Sequence, residues 1–146
     1  MLIRKMRIGD YQKIYDLWTG TPGMGLNDID DSEEGIEKYL RRNPNTCFVA
    51  EQGMEIAGVI LSGHDGRRGY IYHTAVRVQE RNKGIGVALV DKAIEALRQE
   101  GICKVALVVF SKNEIGNALW EKRGFAVRED LQYRNKQIGE LKRIDT

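Results

Sequence analysis

Cysteine and proline are scarce in this chain, two of each. Cys47 and Cys103 form no Cys-x-x-Cys pair and have no histidine cluster beside them, so the pattern does not point to a zinc site. Each falls at the edge of an apolar run and reads as a reduced, partly buried thiol. The prolines, Pro22 and Pro44, both sit in breaks between expected elements. Long apolar runs are missing as well. The longest is the six residues 105–110, against about 20 for a membrane-spanning helix. The first eight residues, MLIRKMRI, lack the apolar stretch of a secretory signal, which argues for a cytoplasmic chain. Neither sign of charge predominates. With 23 basic and 21 acidic side chains the net charge is +2, which gives no electrostatic reason to expect nucleic-acid or membrane binding. What is present is an apolar share of 42% in 146 residues. That excludes disorder and suits one domain over residues 1–146.

The apolar periodicity orders the chain. Residues 2–6 read as a short strand. Asp10 is placed as the N-cap of a helix ending at Trp18, with Ile14, Leu17 and Trp18 on one stripe. A breaker cluster, TGTPGMG, follows at 19–25. Asp31, three residues before Glu34, resembles a capping box opening a second helix over about 32–42, with Ile36, Tyr39 and Leu40 inward. Strands at 46–51 and 55–62 form a hairpin, and a polar loop at 63–69 leads to a strand at 70–78. A strong helix covers 84–100, with Leu89, Val90, Ala93, Ile94 and Leu97 on its buried face. The run at 104–110 predicts a strand buried on both faces and parallel to its neighbour. A helix at 113–123 and closing strands at 125–128 and 131–136 complete the chain. The expected fold is α/β (α+β): a mixed, mostly antiparallel sheet of six to seven strands with about four helices on both faces. Its order is β-α-α-β-β-β-α-β-α-β-β.

The strand ending at Val78 runs through RNKGIG at 81–86 straight into the strongest helix. Glycines there permit a tight turn, and a helix start offers free N–H groups at the positive end of its dipole. Together these suit a phosphate or pyrophosphate, with Arg81 and Lys83 adding charge. The plain alternative is a corner shaped by glycine. No Lys-Ser or Lys-Thr follows, so a nucleotide P-loop does not fit. Leu89 stands where a dinucleotide fingerprint needs its third glycine.

The stretch AVRVQERNKGIGVAL at 75–89 resembles the acetyl-coenzyme A signature of the GNAT superfamily of N-acetyltransferases, with Arg81, Gly84 and Gly86 at its fixed positions. Asn113, then Ala118, Leu119, an aromatic at 120 and Gly124-Phe125 resemble the family's downstream segment at the expected separation. The resemblance implies acetyl-coenzyme A as cosubstrate and direct acetyl transfer to a primary amine of a small molecule or a protein. Backbone N–H groups from Arg81 through Asn82, Lys83, Gly84, Ile85 and Gly86 would cradle the pyrophosphate. Thr74, Ala75, Val76 and Val78 would run beside the pantetheine arm, and the Val76 N–H would face the thioester oxygen as an oxyanion contact. Asn113 would hold the coenzyme, and Trp120 would line the pantetheine pocket. No metal is implied.

Two departures bear on mechanism. Many members carry Tyr, a proposed acid, where this chain has Trp120, and an indole N–H is no acid near neutral pH. Relatives that acetylate ribosomal-protein N-termini carry Glu where Val108 stands. A base must then come from elsewhere. By strand alternation Tyr70, Tyr72, Thr74 and Val76 share one face and His73 takes the other. Tyr72 and His73 are candidates for proton transfer and Tyr70 for acceptor contact, against plain packing roles. Asn27 and Asp28, in the acidic NDIDD stretch, would meet a cationic acceptor, whereas Arg67 and Arg68 would attract an acidic one. An acyl-coenzyme A-binding sensor without chemistry, and a phosphate-binding interaction domain, stay open as alternatives. So does a homodimer.

Overall fold

The apolar, β-branched stretches flanking the turn at Gly53 build the centre of the sheet. The computed structural model describes residues 1–145. In it β2 (Phe48–Gln52) and β3 (Glu55–His64) pair antiparallel, and Ile56 through Gly63 are buried without interruption. β1 (Leu2–Lys5) adds antiparallel to β2, and β4 (Gly69–Val76) adds antiparallel to β3. β5 (Val105–Leu107) adds parallel to β4, which gives the order β1-β2-β3-β4-β5.

The helices fall in two layers, as the periodicity requires. α1 (Tyr11–Thr19) and α2 (Glu33–Arg42) set Ile14, Trp18 and Ile36 against Val49, Ile56, Val59 and Leu61. α3 (Ile85–Gln99) and α4 (Glu114–Lys122) set Leu89, Val90, Ala93 and Trp120 against Phe48, Ala50, Ile60 and Ile71 on the other face. Each fully buried aliphatic side chain contributes roughly 1.5–3 kcal/mol, so these two seams hold the sheet between its helices. Gly58 lets α3 lie close. A Cβ there would come within 2.9 Å of Leu89 Cδ1 and 3.2 Å of the Ala75 carbonyl oxygen.

Several sequence expectations are corrected. Among the described residues there are five strands, not six or seven. Residues 125–128 and 131–136 form no strand; from Ala126 to Lys136 they lie exposed without a ladder partner. β5 is three residues long and alternates rather than being buried on both faces, since Ala106, Val108 and Phe110 reach the surface. Asp10 stands at the N-cap position of α1 as expected, but its side chain makes no capping hydrogen bond to that helix. Its carboxylate takes the Arg7 N–H at 2.9 Å and a bidentate Arg4 guanidinium at 2.8 and 2.9 Å. Burial pushes that carboxyl upward, but the Arg4 hydrogen bonds and charge with the Arg7 N–H outweigh it, and Asp10 stays below its ordinary value. The cap of α2 is Ser32, whose Oγ accepts from the Gly35 N–H at 3.0 Å, rather than Asp31. No helix among the described residues is long and apolar enough to cross a membrane.

Candidate active site

Parallel pairing of β4 with β5 covers only Gly69–Ile71 against Val105–Leu107, after which the two strands part. The gap is a cleft of about 420 Å³ lined by Tyr70 to Thr74, by Leu107 to Phe110, and by Gly23 to Gly25, Asn113, Trp120 and Tyr133. A strand that loses its neighbour exposes backbone N–H and C=O groups, and these suit an extended amide-bearing ligand. The side on which Val76 points follows from its neighbour. The Arg77 N–H donates to the Ala57 carbonyl of β3 at 2.8 Å, so the Val76 N–H, one residue earlier, points away from β3 into the splay. The Val76 carbonyl shares that direction and accepts from Arg81 Nε at 3.3 Å.

β4 also carries a bulge. Ile60 pairs with Thr74 but Ser62 pairs with Ile71, so β4 spends three steps where β3 spends two. The extra residue changes the face assignments. Ile71 and Val76 both pack toward α3, although five residues apart, while Ala75 packs toward α1 and α2. His73 meets Trp18 edge-on at 5.0 Å, and Tyr72 meets Tyr39 at 5.8 Å and Tyr70 at 4.7 Å. Tyr70, Tyr72 and His73 therefore lie on one side, toward α1 and α2, and the expected opposition of His73 to the tyrosines is overturned. Burial first, and then neighbouring phenols, push the Tyr70 and Tyr72 phenols above their ordinary value, with Asp30 adding to the shift of Tyr72, so both stay protonated donors.

The turn before α3 has the form an anion site needs. Asn82 and Gly84 take left-handed φ of 64° and 81°, a region costly for most side chains. Gly84 is the N-cap of α3 and supplies no side chain. Among the described residues no acceptor takes the amides of residues 82–87, whereas the Ala88 N–H already closes on the Gly84 carbonyl. Lys83 pairs with Glu80 at 2.9 Å, so its charge is partly spent, and Val78 is exposed beside the turn. A Cβ on Gly86 would meet Leu119 and Val76 only at 3.6 Å, so that glycine is not demanded by packing.

The remaining candidates divide. Asn113 caps α4, its Oδ1 accepting the Gly116 N–H at 2.9 Å, and it lines the cleft. Trp120 lines the cleft, nearly buried and edge-on to Phe125 at 5.3 Å, with no hydrogen bond to its N–H among the described residues. Asn27 and Asp28 do not line it. Asn27 Oδ1 accepts the N–H groups of Ile29 and Asp30, and Asp28 Oδ1 accepts the Lys142 N–H at 2.6 Å, which ties the loop to residues 142–145. Their expected part in acceptor binding is not supported by their surroundings. Sequence reasoning missed Tyr133 as a lining residue, and it missed Asp31 as the partner of His73 at 2.7 Å. The glycine-rich stretch at 23–25 was legible as a break, but not as a wall of the cleft.

The site is thus a mixed sheet that opens after one short parallel pair, with the turn of unbonded amides at the start of the helix behind it. Residues 11–125 match the Acetyltransferase (GNAT) family. The chain is similar to Acetyltransferase SG1711 of Sodalis glossinidius, 30% identical over 138 residues that span 94% of this chain and 96% of that protein. Among solved structures it is similar to Ard1 from Thermoplasma volcanium, with TM-score 0.78 and 21% identity over 87% of this chain and 83% of that one. It is also similar to the PaiA N-acetyltransferase from Thermoplasma acidophilum, solved in complex with coenzyme A, with TM-score 0.75 and 19% identity over 87% of this chain and 90% of that one. The chain belongs to the GNAT acetyltransferase family and is an acyltransferase.

Proposed function

We propose that the protein transfers an acetyl group directly from acetyl-coenzyme A to a primary amine, in the cytoplasm and without a metal. The observation that carries this reading is the union of the β4–β5 splay with the open amides of residues 82–87. The amides, with Arg81 and Lys83 nearby, would hold the pyrophosphate at the start of α3. The pantetheine arm would run along Thr74, Ala75, Val76 and Val78, with Asn113 and Trp120 closing the far side. The Val76 N–H would stabilise the oxyanion as the amine attacks, and orientation of amine against thioester would supply much of the rate. Tyr72 would give a hydrogen bond to the departing sulfur, and His73 would take the proton.

The acceptor side favours one of the two opposed charge signals. A depression of about 180 Å³ adjoins the cleft and shares Tyr70 and Tyr72 with it; Tyr39, Arg42, His64, Asp65 and Arg68 complete most of its wall. The loop carboxylates are engaged, Asp28 with Lys142, Asp30 with Asn27 and Asp31 with His73. Asp65 accepts the N–H groups of Arg67 and Arg68, and Glu100 pairs with His64. Among the described residues the guanidinium groups of Arg42 and Arg68 have no carboxylate partner. An amine that also carries a carboxylate suits this surface better than a polyamine. A homodimer is supported by what each copy leaves unpaired, the outer edge of β5 and the exposed Val127, Leu131, Tyr133 and Ile138.

Calorimetric titration with acetyl-coenzyme A, followed by an amine panel watched for thiol release, tests the reading. Binding by the wild type, lost in Gly84→Trp, with turnover of carboxylate-bearing amines, is expected. Binding without turnover of any amine would favour the sensor reading, to which Trp120 and Val108 lend support by offering neither acid nor base. No binding to folded protein would remove the cosubstrate assignment.

A further inference from the structure

We propose that Asp31 positions His73, so that His73 Nδ1 accepts the proton from the acceptor amine. The proposal rests on the acetyl-transfer reading and adds to it the residue that holds the base. His73 Nε2 lies 2.7 Å from Asp31 Oδ1, and the side chains are 14% and 5% exposed. An ionised carboxylate only accepts, so the proton of a neutral imidazole sits on Nε2 and Nδ1 keeps a free lone pair. Among the described residues Nδ1 has no hydrogen-bond partner, and it is not sealed from solvent. His73 itself lines the cleft.

The carboxylate is fixed in its turn. Asp31 Oδ2 accepts the Asn27 N–H at 2.9 Å, and the Asp31 carbonyl accepts the Tyr11 hydroxyl at 2.8 Å. Trp18 braces the imidazole edge-on and offers it no competing acceptor. The β4 bulge turns His73 to the side of α1 and α2 while the Val76 N–H, three residues on, points into the splay. Base and oxyanion donor thus flank the same opening.

In the step, the amine lone pair forms the C–N bond to the thioester carbon. The nitrogen's proton passes to His73 Nδ1, and the C–S electron pair leaves as the coenzyme thiolate. The thiolate takes a proton from water and the imidazolium returns its proton to solvent, leaving amide and thiol. Asp31 touches no reactant. It holds the proton on Nε2, which leaves Nδ1 to accept, and it faces the imidazolium that forms.

The test combines a spectrum with kinetics. Nitrogen-15 NMR of the wild type is expected to show neutral His73 protonated at Nε2 and bare at Nδ1. His73→Gln should lower kcat about 100-fold with acetyl-coenzyme A affinity unchanged, and imidazole should restore turnover to His73→Ala. Asp31→Asn should lower kcat with little change in the acceptor KM and should shift the tautomer. A proton found on Nδ1, or full kcat in folded His73→Gln, would overturn the proposal while leaving acetyl transfer intact. Wild-type protein that turns over no amine would instead remove the reading on which it rests. Should Asp31→Asn fail to fold, the wild-type tautomer and the His73 variants still decide.

Discussion

Cys47 and Cys103 have the same side chain but different chemistry, because burial sets it. Cys47 is buried, and burial pushes its thiol up to about 12; its S–H donates to the Ser62 carbonyl at 3.2 Å. Cys103 is exposed. The reagent is the thiolate. A disulfide reagent at pH 8 is therefore expected to titrate one thiol in the native protein and the second only after denaturant; two fast thiols would refute the packing around Cys47. The sign of the pH effect follows. The native state keeps a proton that the unfolded thiol releases, so this contribution is whole below the ordinary value of 9.0 and fades as pH rises toward about 12. Both cysteines read alike in the sequence, at the edges of apolar runs. The same limit applied to His73, whose residue type was suggestive and whose partner Asp31 lies 42 positions away.

The elements follow the apolar periodicity where one face is buried and depart from it where neighbours intervene. α2, α3 and α4 begin and end within a residue of expectation, because caps and glycine stops are local signals. The bulge in β4 is not local. It answers the register of β3 and cannot be read from YIYHTAV, whose alternation is unbroken. Gly58 shows how an element sets the site. Gly58→Ala would place its Cβ 3.1 Å from Ile85 Cγ2 and 3.2 Å from the Ala75 oxygen, so α3 must retreat from the sheet at its first turn. A loss of about 1–3 kcal/mol is expected. It should appear as a lower Tm together with weaker acetyl-coenzyme A binding, since Ile85 opens the anion turn. Unchanged binding at reduced Tm would separate that turn from the coenzyme.

Across the whole molecule the sheet ends in β1 on one side and in β5 on the other, and each of them pairs with one neighbour only among the described residues. Arg4 secures the first edge by bridging Asp10 and Glu51. The three residues of β5 carry no such ion pair. Ile138 is 93% exposed, and no described segment pairs with the outer edge of β5. Exposed strand edges and apolar side chains favour association. Sedimentation is expected to give twice the 16.6 kDa of one chain, and Leu131→Asp with Ile138→Asp to return it to one. A wild-type monomer at the highest attainable concentration would overturn the dimer.

The order of helices and strands through α4, the two apolar layers and the glycine turn before a strong helix were determined by the sequence alone. Each is a pattern over neighbouring residues: period 3.6, period 2, or a glycine where φ must be positive. What only the tertiary structure decided is the set of pairings between distant residues. These are the splay that turns Val76 toward the cleft, the bulge that brings Tyr70, Tyr72 and His73 to one side, and the burial that joins Asp31 to His73. Closing strands were expected at 125–128 and 131–136, yet a strand exists only where an adjacent edge accepts its hydrogen bonds. Within the described residues the outer edge of β5 accepts none.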